Sequence, residues 1–361
     1  MMRSILLTIN ILCFVQFLWA GDAIFEDSKT VKKTFKASAD FELEVNNKHG
    51  KIEIENWDKD SISVEVIIKA ESQKLEKLGR MMDQVNIRFT NHDDYLSVTT
   101  EWGSSTNAMK FDIMGLFDSQ TITVNYLIKA PKGIELEIEN KFGDVQINEC
   151  TGKFKLDLSH GNFTARKITN AKSLVVQYGN IKIKEIVKGD ISAKFSDISI
   201  DVAGTINMDL ASCDVEIEKI KSLVLKSLGD EIEIEEISEF NFSSSLSNIE
   251  VEKLTKTVTG NVKYGSLDIE EVVSSFMGIT LNCQNTDVQI DFQPQIAYNY
   301  HVQLDKGKSF SIPSEGNSLE KDNVFDDVHQ YEGLFATIPV GGKPANVNVN
   351  SKSSYIRFGI K

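Results

Sequence analysis

One short phrase recurs through the middle of the chain and limits the fold more than any other feature. It reads FGDVQI at Phe142–Ile147, HGNFTA at His160–Ala165, YGNIKI at Tyr178–Ile183 and FSDISI at Phe195–Ile200. It continues as SCDVEI at Ser212–Ile217, LGDEIEI at Leu228–Ile234, LSNIEV at Leu246–Val251, YGSLDI at Tyr264–Ile269 and NTDVQI at Asn285–Ile290. The steps from Gly143 to Gly161, Gly179, Ser196, Cys213, Gly229, Ser247, Gly265 and Thr286 are 18, 18, 17, 17, 16, 18, 18 and 21 residues. A period near 18 implies a stack of small units, none of which buries its apolar side alone.

Each unit holds two segments with the period-two alternation of strands: the phrase itself, and a second segment before the next turn, such as Phe154–Leu158 or Leu174–Tyr178. Two strands of about five residues plus short turns make one rung of a β-solenoid. Ile181, Ile183 and Ile186 point inward, as do Val215, Ile217 and Ile220, Ile232, Ile234 and Ile237, and Ile249, Val251 and Leu254. A one-residue slip would expose every one of them, so the register is specified. Glycine at 50, 143, 161, 179, 229 and 265 reads as the source of positive φ at the turn. The residues before the turn, Phe142, His160, Tyr178, Phe195, Leu228, Leu246 and Tyr264, then align as a bulky ladder along one edge. Parallel crossovers are right-handed. The expected fold class is therefore all-β, a right-handed single-stranded β-solenoid (β-helix), a rod on the order of 40 Å long.

The flanks divide the chain further. Residues 1–23 read as a signal peptide: Arg3, an apolar run from Ile5 to Trp19, then small residues at Ala20, Gly21 and Ala23. Residues 24–133 form a β-rich N-terminal region, in which His49–Ile54 is a first copy of the phrase, separated from the rest by an insertion. The insertion carries one amphipathic helix at about 71–85, with Leu75, Leu78, Met82 and Val85 on its apolar face. It also carries an apolar loop, Ser104–Ser119, read as a flap over one end of the core or a partner-binding tip. The array occupies 134–292, and strands in 293–361, ending in YIRFGIK, cap the exposed end.

A chain opening with FELEVNNKHGKIEIENWDKDSISVEV at Phe41–Val66, followed by an extended strand ending at Ala130-Pro131, Gly-Asp/Asn-Ile-x-Ile units and a terminal YIRFGI, resembles the bacterial putative-adhesin family. That resemblance implies an exported β-solenoid domain of unknown function, related to autotransporter-adhesin-head-like domains, with no catalytic pattern to transfer.

The formal net charge of −14 argues against nucleic acid as a partner, because phosphate binding needs basic patches. Once the signal is removed, no stretch has membrane-spanning length, and the localisation expected is export to the periplasm, the cell surface or the medium. Cys150, Cys213 and Cys283 fit no metal spacing and are read as unpaired core residues. His49, His92, His160, His301 and His329 are scattered, and no nucleophile elbow, phosphate loop or dinucleotide fingerprint is present, so no catalytic, cofactor or metal site is assigned.

The candidate binding surface is the outward acidic face. It places Glu216, Glu233, Glu250 and Asp268 in one column and Glu218, Glu235, Glu252 and Glu270 in the next. Calcium would suit such oxygens, but a flat ladder lacks an enclosing loop, and a solvated face explains it without a ligand. Arg166, Lys167, Lys182 and Lys184 on the earlier rungs make that face electrically polar. Two functions compete: a non-enzymatic adhesin or envelope scaffold that binds an unidentified protein or glycan, and a carbohydrate-active β-helix enzyme using carboxylates such as Asp287 and Asp291. An ice-binding face would need regular threonine columns, and Thr121-x-Thr123 and Thr257-x-Thr259 stand alone.

Overall fold

The computed structural model describes residues 24–38, 40–103, 121–305, 308–325, 327–338 and 343–361. The expected signal peptide, the apolar loop 104–119 and the turns at Gly307 and at Gly341-Gly342 lie outside them.

The chain enters through β1 (Phe25–Lys36), β2 (Glu42–Lys48), β3 (Ile52–Asn56) and β4 (Ser61–Ser72). A helix α1 (Leu75–Met82), a hairpin of β5 (Val85–Asn91) and β6 (Tyr95–Trp102), and then β7 (Thr121–Ala130) and β8 (Glu135–Lys141) follow. The helix is shorter than expected: it buries Leu78 and Met81, while Leu75 is exposed and Val85 begins the next strand.

Seven long strands make the array: β9 (Val145–Ser159), β10 (Phe163–Gln177), β11 (Ile181–Lys194), β12 (Asp197–Ala211), β13 (Asp214–Leu228), β14 (Glu231–Ser245) and β15 (Asn248–Lys263). The two short strands expected per unit are thus one continuous strand from one bulky turn to the next. Pairing skips a residue midway, between Ile217 and Lys219 for example, and the buried-exposed alternation changes phase there. That phase change turns the strand around a corner, so its first half lies on one face and its second half on another. Successive strands pair in parallel, each residue opposite its equivalent in the next rung. The result is a β-solenoid of about nine turns with rungs of about 18 residues. Every inward residue expected from the alternation is buried, from Ile181 to Leu254.

Both ends extend the stack before closing it. β2 lies between β6 and β8, and β3 between β7 and β9. The insertion therefore folds back to build a rung outside the His49 copy, beyond which β4 and β1 continue from β7 and β5 from β6, all antiparallel. The outermost strand β1 carries Lys29, Lys32, Lys33 and Lys36, which deter a further strand from pairing. At the other end the chain passes through β16 (Ser266–Val272), β17 (Gly278–Gln284), β18 (Asp287–Phe292) and β19 (Ala297–Asp305). It then runs through β20 (Phe310–Ser311), β21 (Asn317–Phe325), β22 (Val328–Ala336), β23 (Ala345–Lys352) and β24 (Tyr355–Ile360). β23 and β24 pair in parallel with β17 and β18, so the terminal YIRFGI is a further rung and not only a cap. β19, the β21–β22 hairpin and the short β20 close the stack beyond it.

The turn works differently from the sequence reading. Positive φ falls on the bulky residue: Phe142 at 58°, Tyr178 at 58° and Phe195 at 52° among them. The glycine after it is needed for space. A Cβ on Gly179 would stand 1.8 Å from the Gly161 carbonyl oxygen of the neighbouring rung. One unit is also shifted by one position. Gly229, with φ 72°, occupies the ladder site, Asp230 takes the inner position, and Leu228 stands before the ladder. The bridges from Cys213 to Asp230 and from Asp230 to Ser247 both span 17 residues, so the apparent step of 16 is a misreading of register.

Candidate functional site

The acidic columns form as the repeat register dictates. Glu216 lies opposite Glu233, Glu233 opposite Glu250, and Glu250 opposite Asp268. Glu218, Glu235, Glu252 and Glu270 follow the paired Ile217, Ile234, Val251 and Ile269 on the same strands and make the second column. The face does not stay acidic. Asp268 is followed by Gln289 and Arg357, and Lys361 reaches Glu270 at 3.5 Å and Glu271 at 3.6 Å. Alongside, Glu236 is held by Lys219 at 2.7 Å and Lys253 at 3.5 Å.

The columns end in a groove of about 410 Å³ bordered by Glu250, Asp268, Asp287, Tyr355 and Arg357. Asp291 lies on the same strand as Asp287 and accepts a hydrogen bond from the Gln289 amide at 3.0 Å. Among the described residues no three His, Cys, Asp or Glu side chains converge to hold a metal ion.

Burial, then hydrogen bonding and repulsion from Glu270, hold the Glu250 carboxyl above its ordinary range. Burial, then Asp291, does the same to Asp268, with Arg357 opposing. A carboxyl with a raised folded pKa binds its proton more tightly in the folded chain than in the unfolded one. Its stabilisation is complete below the unfolded pKa and is lost as pH rises through the folded value. Glu71, Glu236 and Glu332, held low chiefly by hydrogen bonds from Lys69, Lys219 and Lys321, act oppositely at lower pH. Melting temperature is expected to rise on acidification from neutrality toward the ordinary carboxylate range and to fall below it. Glu250→Gln should flatten the first limb in a calorimetric pH series; an unchanged limb would show that Glu250 does not carry it.

The basic residues of the earlier rungs are largely neutralised. Arg166 bonds Asn148 at 3.0 Å and pairs with Glu149, and Lys167 meets Glu185 at 2.6 Å. Lys182 and Lys184 line a groove of about 500 Å³ with Glu53 and Glu55. The polarity expected of this face is thus reduced to a few groups.

A ladder of stacked rings runs along the turn edge. His49, Phe142, His160, Tyr178 and Phe195 stack with ring centroids 4.9 to 5.2 Å apart and planes within 11°. Trp102 meets His49 edge-on at 5.4 Å. The rings lie face to face, so their edges, not their faces, meet solvent. His49 and His160 sit within this stack, as the spacing implied.

Two buried polar clusters escaped sequence reasoning. Asn47 donates to the Val124 and Gly50 carbonyls and accepts from the Thr100 hydroxyl at 2.8 Å, while Thr100 also meets the Tyr126 hydroxyl at 2.6 Å. The recurring Asn-Lys-aromatic-Gly in NKHG and NKFG was the available signal, since Asn140 repeats the role on Gly50 and Gly143. At the other cluster, the buried Asp230 carboxylate accepts from the Cys213 N–H at 2.8 Å, the Leu228 N–H at 2.9 Å and the Ser227 hydroxyl at 2.5 Å. Among the described residues Cys150, Cys213 and Cys283 are free and buried. Burial pushes the Cys150 and Cys283 thiols up to about 12, so neither supplies a thiolate nucleophile near neutral pH.

No family model matches the chain, and no curated protein does. Among solved structures it is similar to a putative cell adhesion protein from Clostridium sporogenes, with 10% identity over 93% of this chain and 100% of that chain and a TM-score of 0.19. It is also similar to a putative adhesin from Parabacteroides distasonis, with 12% identity, 74% and 94% coverage and a TM-score of 0.30. A putative lipid binding protein from that species matches with 12% identity, 91% and 96% coverage and a TM-score of 0.29. The resemblance to putative adhesins drawn from the sequence thus meets structures of that name. At such identities and TM-scores the likeness is carried no further. Among the described residues no helix is long and apolar enough to cross a membrane.

Proposed function

We propose that this protein is an exported, non-catalytic binding scaffold that meets its ligand on a flat face of the solenoid. The supporting observation lies on the second face, beyond the rungs where Asp209 and Lys226 occupy one of its outward columns. Asn241, Thr259, Thr280 and Asn348 stand in one outward column. Ser243, Asn261, Asn282 and Asn350 stand in the next.

In a chain of net charge −14, these columns carry no ionised side chain across four rungs, a span of about 14 Å. Amides and hydroxyls each donate and accept, and each amide has several hydrogen-bonding positions. The link from the Asn282 amide to Asn261 at 3.1 Å uses only one of them. A flat, neutral, regularly spaced array of donors and acceptors suits a neutral polysaccharide, whose hydroxyls repeat at comparable spacing. A protein partner would instead call for aromatic anchors at its centre, which these columns lack.

Retention of the protein on insoluble neutral polysaccharides and on a glycan array tests the reading. Binding is expected, and Thr259→Glu with Asn282→Asp should weaken it at least about tenfold by placing unpaired charge in the contact. Binding indifferent to both substitutions would remove this face from the reading. Turnover of a polysaccharide would overturn the non-catalytic assignment and restore the β-helix enzyme.

A further inference from the structure

We propose that the turn edge of the solenoid is a self-association surface, on which two copies pack side by side with parallel axes related by a two-fold along the rod.

The apolar content of this edge is the first reason. Phe142, Tyr178, Phe195, Leu228, Leu246 and Tyr264 are between 45% and 63% exposed and follow one another along the rod. Leu228 lies on the flank beside Gly229, which holds the ladder position itself, and His160 and Ser212 stand between the others. Half-exposed rings and leucines of this size present roughly 100 Å² each, so the edge offers about 600 Å² of apolar surface, against about 800 Å² buried per partner in a stable interface. That is the upper end of the largest apolar patch a typical monomer exposes, and patches of that size are often functional. The near-parallel ring planes keep the edge straight from His49 to Phe195, so a second straight edge lies along it without diverging.

The charges beside the ladder choose the partner and its direction. The residue before the ladder position lies on one flank of the edge and the residue two positions after it lies on the other. From Phe142 onward the first flank carries Lys141, Lys194 and Lys263, and the second Asp144, Asp197 and Asp214, whereas the His49 rung has lysine on both flanks, Lys48 and Lys51. A two-fold axis along the rod brings each flank against the opposite flank of the second copy, rung for rung. Lys141 then faces Asp144 of the second copy, and Lys194 faces Asp197 of the second copy. An antiparallel arrangement would set lysine against lysine, which repels. Lys141 already lies 3.1 Å from Glu139, but an exposed pair of this kind is weak and yields to a better one. Unlike a membrane surface, which would select lysines and aromatics together on both flanks, this edge alternates sign across itself, as a self-complementary surface must.

Sedimentation velocity on the protein as exported by an expression host tests the proposal. A dimer with a dissociation constant on the order of 1 µM is expected. Phe142→Asp with Phe195→Asp should leave a monomer; aspartate accepts the left-handed backbone of these positions, so the fold is retained, as circular dichroism would verify. Lys141→Asp with Lys194→Asp should weaken the dimer by about tenfold or more. Adding Asp144→Lys and Asp197→Lys should restore it, because the parallel two-fold again sets opposite charges together. Ser212→Cys, in the ladder column, should cross-link to its own copy under oxidation. A monomer at ~100 µM overturns the proposal. So does a dimer unaffected by the phenylalanine substitutions, or one that the compensating lysines fail to restore.

Discussion

Gly179→Ala is expected to destabilise the protein by about 3 kcal/mol or more and to lower its melting temperature by roughly 5–10 °C. The added methyl would stand 1.8 Å from the Gly161 carbonyl oxygen, closer than any non-bonded pair tolerates. The obstacle is backbone of the adjoining rung, so it cannot swing aside as a flexible side chain would. Relief requires two rungs to separate, which stretches ladder hydrogen bonds on both faces and disturbs packing in a core built at crystal-like density. Gly229 supplies the contrast. It holds positive φ at 72°, yet nothing lies within 4 Å of a Cβ there, and Asn285 occupies the equivalent ladder position with φ 51°. Gly229→Asn should therefore change stability by less than about 0.5 kcal/mol, since asparagine enters the left-handed region readily. Differential scanning calorimetry of the two variants decides the matter. Equal melting shifts would mean that backbone conformation, and not rung spacing, governs the glycine column.

Asp230→Ala is expected to cost about 3–5 kcal/mol, because three donors, two of them in buried hydrogen bonds, lose their acceptor at once. The Cys213 N–H, the Leu228 N–H and the Ser227 hydroxyl all end on this one carboxylate, which is 3% exposed. Asp230→Asn should fall between wild type and alanine. One amide oxygen still accepts from Cys213, but an NH2 now points at Leu228 and Ser227, which already donate. Urea unfolding measures both losses, and hydrogen exchange at the Cys213 and Leu228 amides should accelerate selectively. Alanine at wild-type stability would show that water replaces the carboxylate without cost.

Much of this fold was readable because a solenoid repeats one local rule. Alternation within each phrase identifies Ile232, Ile234 and Ile237 as interior, and the period alone sets Glu216 against Glu233. The misreadings share a cause. Positive φ at Phe142 and Tyr178 is unusual for bulky residues, and glycine beside them is the ordinary suspect. Only the distance to the next rung shows that glycine is there for closeness. The same ambiguity shifted Leu228-Gly229-Asp230 by one residue, because glycine fits the ladder position as well as the inner one.

The functional surfaces were less legible. The acidic columns were found because charge is visible in sequence, but their neutralising partners, Arg357 and Lys361, come from the far terminus. The neutral columns combine β14 and β15 with β17 and β23, and β23 reaches its place only after a 68-residue excursion from Thr286 to Ser354.

By itself the sequence determined the period, the inward face and the register of the strand phrases, though not of the turn at Gly229, since hydrophobic alternation and an 18-residue repeat admit one way to bury the isoleucines. Tertiary structure alone decided which rung sits at each end. It also decided why the turn glycines are required and which outward columns become neighbours, because those depend on long-range pairing that no local pattern encodes.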